Sequence, residues 1–317
     1  MTWTSAIVTA CVVGATVGAP AQPLNPADAI AAEVARIEKA SDALGSQAEG
    51  VTTALVRVKD ALAKGRVLLA LDELQEPWVT ERAIAWAAAH GAIRTSAQFS
   101  AEWKRVGEPA WGAPTSRQAA AVEAIAASNA SRAPATWRAS LPYSEDAGME
   151  AGLYYLGEAQ AYAAFATFSR SLAMAPAGKP LALGPLGSEI SALESRVATM
   201  YDKAPADMKP RFIRVSVGLK VAHTLDDHKD YGAALYQYLS ALYRVTASTA
   251  TGAPDGDVKA RLAGARAGLA AGDDHSIALL FFERAAYLLD LNDPSATRSA
   301  GVIADTVIPA YLKMVQR

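Results

Sequence analysis

The chain has 317 residues, enough for two ordinary domains or one long helical array. Its formal charge is −2, with 30 lysines and arginines scattered among 32 acids, so it lacks the basic block that nucleic-acid binding needs. Hydrophobic residues are 51% of the chain, which excludes disorder as the default and allows a sizeable core.

Residues 1–21 read as a signal peptide. A charge-free stretch from Ser5 to Ala19 holds the apolar core Ile7 to Val17 and leads to Ala19-Pro20-Ala21, a small-x-small cleavage pattern. No lysine or arginine precedes that core, where a signal peptide ordinarily has one. The run is shorter than the roughly 20 residues needed to span a bilayer. A periplasmic or secreted protein with no stable transmembrane segment after cleavage is therefore expected. Cys11, the single cysteine, lies inside this leader, so a cleaved chain has neither disulfides nor thiolate chemistry. Val8-Thr9-Ala10-Cys11 has the look of a lipoprotein box, but no basic residue precedes it.

Beyond the leader the pattern is all-α. Alanine, which loses no side-chain entropy in a helix and lets helices approach closely, carries the apolar excess. The runs Ala83 to Ala89, Ala119 to Ala127 and Ala159 to Ala166 show no period-two alternation. Residues 22–174 form an N-terminal helical region. Asn25-Pro26-Ala27-Asp28 supplies an N-cap, a first-turn proline and an acid, and Ile30, Val34, Ile37 and Leu44 follow at helical spacing. A second helix from about Ala48 carries Leu55, Val58 and Leu62 to Lys64-Gly65, and a third, Val67 to Leu74, is expected to stop before Pro77.

From Trp78 to Trp137 the chain concentrates Trp78, Trp86, Trp103, Trp111 and Trp137 among the breaks Pro109, Pro114 and Pro134. Such aromatics either fill gaps between alanine-rich helices or line a pocket or interface, with Trp86 and Trp103 the candidate binding residues. Asn129-Ala130-Ser131 fits a glycosylation acceptor, relevant only to a eukaryotic secretory chain. A long low-charge helix is expected from Ser144 to Met174, in the middle of the fold. The Pro/Gly-rich residues 175–187 read as a linker or functional loop, after which Ser188 is expected to cap a helix carrying Ile190, Leu193, Val197 and Met200.

In residues 188–317 the best-marked unit is Arg211 to Leu242. Its second helix, starting at Asp230-Tyr231-Gly232, places Ala234, Tyr238 and Ala241 at small–aromatic–small spacing, and its first offers Val221, Ala222 and Leu225. This resembles the tetratricopeptide (TPR) repeat, a helix-turn-helix of about 34 residues. It departs at Gly218, where a large residue is usual, and at Thr246, where proline is usual. Ala278, Phe282 and Ala285 after Gly272-Asp273-Asp274 make a poorer second match, and the loop Thr246 to Asp257 absorbs the excess spacing. The resemblance implies antiparallel helical hairpins stacked as an irregular TPR-like array. It also implies a concave groove lined by Ser216, Leu219, His223, Asp226 and Asp227, suited to a basic or hydrogen-bonding peptide.

His223 and Asp227 lie one helical turn apart, a spacing that metal ligands share with ordinary solvated turn residues. Gly178, Gly184 and Gly187 fit no phosphate-loop spacing, and neither a nucleophile elbow nor a zinc-protease histidine pair occurs. No catalytic residue, metal or cofactor is assigned. The leading expectation is an exported scaffold binding a protein or peptide. The alternatives are a helical small-molecule carrier or transport accessory with a Trp-rich pocket, and an all-α enzyme acting through dispersed residues.

Overall fold

The computed structural model describes residues 25–112, 118–144, 148–252, 254 and 256–316; the expected leader, its cleavage site and Cys11 lie outside them. Asn25 starts α1 (Pro26–Lys39) as its pattern predicts, its side chain accepting from Ala27 N at 3.0 Å while Ile30, Val34 and Ile37 turn inward. After a 3₁₀ segment, Ser41–Gln47, α2 (Ala48–Ala63) ends in a Schellman turn. Gly65 takes φ +67°, Arg66 N bonds Ala61 O at 2.9 Å and Gly65 N bonds Leu62 O at 2.9 Å.

The next helix corrects the sequence reading. α3 (Val67–Ala89) runs straight through Pro77 instead of stopping at Leu74. The proline removes one hydrogen bond, but Leu74, Trp78, Val79 and Ala83 are buried around it, and their packing outweighs the local penalty. α4 (Ser96–Val106) opens with a capping box in which Thr95 and Gln98 each bond the other's backbone N–H. α5 (Ala120–Ser140) likewise passes through a proline, Pro134.

α6 (Met149–Ser171) is shorter at both ends than the expected Ser144 to Met174, and α5, not α6, is the helix enclosed on most sides. α5 packs against α6 and also touches α3. Its buried residues are chiefly alanine and serine, which let neighbours close in. The hydroxyls of Ser128 and Ser131 and the amide of Asn129 turn back onto carbonyls of their own helix. Asn129 is wholly buried, so the Asn129-Ala130-Ser131 tripeptide presents no surface acceptor for a glycan.

Residues 175–187 do not divide two cores. Lys179 bridges Asp273 in parallel register, with Lys179 N to Gly272 O and Asp274 N to Lys179 O both 2.7 Å. Gly178 is required there, since a Cβ would lie 2.4 Å from Gly272 O. One hydrophobic cluster runs from Ile30 to Met314 across this strap. α7 (Gly187–Lys203) begins one residue before Ser188, whose hydroxyl meets Glu189. The capping acceptor at this end comes instead from Asp226, which takes Leu186 N at 2.8 Å.

α8 (Lys209–Asp227) and α9 (Tyr231–Thr249) form an antiparallel hairpin about a left-handed Lys229. α5 packs on both. α10 (Val258–Ala267) is short, and α11 (Ser276–Asp290) packs chiefly on α12 (Pro294–Val302), α3 and α5. A π turn, Ile303–Val307, joins α12 to α13 (Ile308–Val315) just before Pro309. The described residues are thus helices packed on helices, with no β-strand beyond isolated bridge residues, and the fold is all-α. No helix among them is long and apolar enough to cross a membrane.

Ala234 is wholly buried and Ala241 nearly so, both facing packed neighbours. Replacing Ala234 with leucine should overpack the hairpin and lower stability by roughly 1–3 kcal/mol, read from urea melts. An unchanged midpoint would mean the helices have room that this packing denies them.

Candidate functional site: a cleft between α5, α6 and α8

α8 buries Phe212, Val215, Leu219, Ala222 and Leu225, which fixes its rotation. That leaves Val217, Lys220, Val221 and Thr224 along one wall of a cavity of about 880 Å³. Across from them α5 contributes Ser131, Arg132, Pro134, Ala135, Thr136 and Arg138, while α6 contributes Glu158 and Tyr162. The segment from Glu108 to Trp111 closes a third side. Glu108 is held by an ion pair to Arg138, and the Trp111 ring stacks on His228 at 4.3 Å between centroids.

The polar centre of the cleft is Arg132, Glu158 and Tyr162. The Arg132 guanidinium lies 5.8 Å from the centre of the Tyr162 ring, and the Tyr162 hydroxyl is 3.5 Å from Glu158 Oε1. Arg132 Nε is buried and has no hydrogen-bond partner. Burial raises the pKa of Glu158 from its ordinary value, although Arg132 and Tyr162 pull it the other way. The Tyr162 phenol is likewise pushed up by burial. The site therefore sets a cation, a carboxyl group and a phenol between an aromatic wall and an aliphatic one.

None of the residues expected from sequence lines this cleft. On α8 the cleft is faced by Val217, Lys220 and Thr224, each one position beyond the expected Ser216, Leu219 and His223, together with Val221, and just past the helix end by His228. One position is about 100° of rotation. Leu219 is 0% exposed and belongs to the core, and Ser216 is half-buried. His223 Nε2 sits 3.1 Å from Glu194 of α7, Asp226 caps α7, and Asp227 is exposed at the helix end. Among the described residues no three metal-capable side chains converge.

Trp86 and Trp103 share a satellite cluster with Phe99, Trp137, Met149 and Leu156, away from the cleft. Trp86 stacks on His90 at 3.7 Å, and Trp103 stacks on Trp137 at 3.7 Å. Trp103 donates its indole N–H to the Trp137 carbonyl at 3.1 Å, and Trp137 returns the bond at 3.4 Å. The Trp103 indole N–H is thus used within the fold, and one face of the Trp86 ring is covered by His90. Of the aromatic-rich segment it is Trp111 that reaches the cleft. Arg132, Glu158, Tyr162 and Lys220 were missed because their convergence depends on three helices far apart in sequence.

The class defined by fold and site is an all-α protein with an open cleft of mixed polarity. No family model matches the chain, and no curated protein or solved structure is significantly similar to it.

Proposed function

We propose that this chain is a helical binding protein, a carrier or transport accessory, that holds a small amphipathic molecule in the cleft between α5, α6 and α8. The observation that carries this reading is the cavity of about 880 Å³, in which apolar walls surround a few convergent polar groups. Small-molecule sites have that make-up, at roughly 300–1,000 Å³. The charge-free apolar run at the start of the sequence supports action outside the cytoplasm.

A second reading, a repeat-like scaffold gripping a partner segment, is favoured by Ile213 and Val217. These lie one turn apart on α8, each 51% exposed, and lead toward Val221 in the cleft. Their neighbourhood suits a peptide lying along α8 with its end in the cavity.

Val217→Trp separates the cleft from the rest of the surface. Val217 is exposed, so the indole should fill the cavity mouth and leave the melting temperature in place. The parent should bind the neutral fluorescent probe N-phenylnaphthylamine at one site per chain, and the variant should bind it at least about tenfold more weakly, about 1.4 kcal/mol. Equal binding by both proteins would remove the cleft as the ligand site. Binding of long peptides but no small probe would favour the scaffold.

A further inference from the structure

The charges around the cleft are unevenly matched. Its lining holds Arg132, Arg138 and Lys220 against Glu108 and Glu158, together with His228. Arg138 is neutralised by its ion pair with Glu108. Neither Arg132 nor Lys220 has a carboxylate within ion-pair distance among the described residues, and Arg132 Nε is buried without a hydrogen-bond partner. A guanidinium nitrogen shut from water and left unpaired costs stability unless a ligand or water supplies an acceptor. These two cations come from different helices, Arg132 from α5 and Lys220 from α8, and line the same cavity; Arg132 meets the Tyr162 hydroxyl and faces Glu158 without forming an ion pair with it.

Between them the walls are apolar and aromatic: Trp111, Pro134, Tyr162, Val217 and Val221. A ligand matching both features has a ring-bearing apolar body and one acidic group. A bare inorganic anion would leave the walls unused, and a neutral hydrocarbon would leave Arg132 Nε without an acceptor and Lys220 without a counter-ion.

We propose that the cleft selects an organic anion, its apolar body lying between Trp111 and the Val217–Val221 wall and its carboxylate or sulfonate held by Arg132 and Lys220. The inference rests on the cleft being the ligand site and adds the chemical class of the ligand. A planar guanidinium can grip an oxyanion through two N–H donors, and the flexible ammonium of Lys220 adds a point charge. Glu158 does not cancel this field fully, because burial disfavours its charged form.

The test uses two probes that differ by one charged group, anilinonaphthalene sulfonate and its neutral counterpart N-phenylnaphthylamine, titrated into the full chain. The sulfonate should bind more tightly, and its affinity should fall as salt is raised. Lys220→Gln, at an exposed position, should weaken sulfonate binding by about tenfold and leave the neutral probe within about twofold, as should Arg132→Gln if it folds. Equal affinity for the two probes, or equal losses of both in Lys220→Gln, would overturn the anion assignment while the cleft remains the site. If Val217→Trp blocks neither probe, the cleft reading fails and this inference fails with it.

Discussion

Trp78→Ala should lower the unfolding free energy by about 3–5 kcal/mol, among the largest losses open to a single substitution in this chain. Trp78 is only 2% exposed and sits where α1, α3 and α6 meet. Phe165 meets its ring edge-on at 5.2 Å, Phe168 stacks at 6.3 Å, and the Arg82 guanidinium lies 4.0 Å over its face. Its indole N–H donates to Glu33 Oε2 at 2.7 Å, and the same carboxylate takes Arg36 Nε at 2.8 Å. Alanine would leave a cavity and also strip Glu33 of a donor. Trp78→Phe, keeping most of the volume but not the N–H, should fall between the two. Urea unfolding followed by circular dichroism reads both variants. A loss under about 1 kcal/mol for alanine would show that α3 does not carry its packing past Pro77.

That position marks the limit of what the sequence conveys. Local signals are legible: Asn25-Pro26 starts α1, and Lys64-Gly65 ends α2. Pro77 misleads because its penalty is local, whereas the compensation comes from helices far along the chain. The alanine-rich stretches show that helices pack closely but not which one is central, since alanine marks no particular face; α5 took the place expected of α6. α8 explains why the expected groove residues and the cleft do not coincide. Phe212, Val215, Leu219 and Leu225 form one apolar stripe, and Ile213, Val217 and Val221 form another. With two apolar stripes, the sequence does not say which faces inward, and a shift of one position turns the helix face by about 100°. Asp226 looked like a groove residue, yet its carboxylate serves the backbone of a different helix.

Arg284→Met should cost about 3–5 kcal/mol near neutral pH, and the loss should shrink as the solution is acidified. Arg284 reaches from α11 to two adjacent carboxylates of α3, an ion pair to Asp72 and a 3.0 Å contact to Glu73 Oε1. Tyr236 of α9 donates its hydroxyl to Asp72, and Arg57 of α2 holds Glu73 at 2.8 Å, so four helices meet in one network. Removing the guanidinium leaves two largely buried carboxylates side by side, short of their main counter-ion. Burial alone would raise the pKa of Glu73, but Arg284 and Arg57 draw it below its ordinary 4.5. A carboxyl with a lowered folded-state pKa contributes stability above its unfolded pKa and loses it as pH falls through the folded value. In the parent this contribution is present at pH 7 and fades below about 4.5. Without Arg284 the burial penalty is opposed less, the pKa rises, and protonation relieves the variant at a pH where the parent still gains from the charge. Adding Glu73→Gln to Arg284→Met should therefore recover part of the loss at pH 7. Unfolding curves at pH 7 and pH 4.5 decide the matter: an equal deficit at both, with no rescue by Glu73→Gln, would mean that lost packing of the arginine stem, rather than two stranded charges, accounts for the cost.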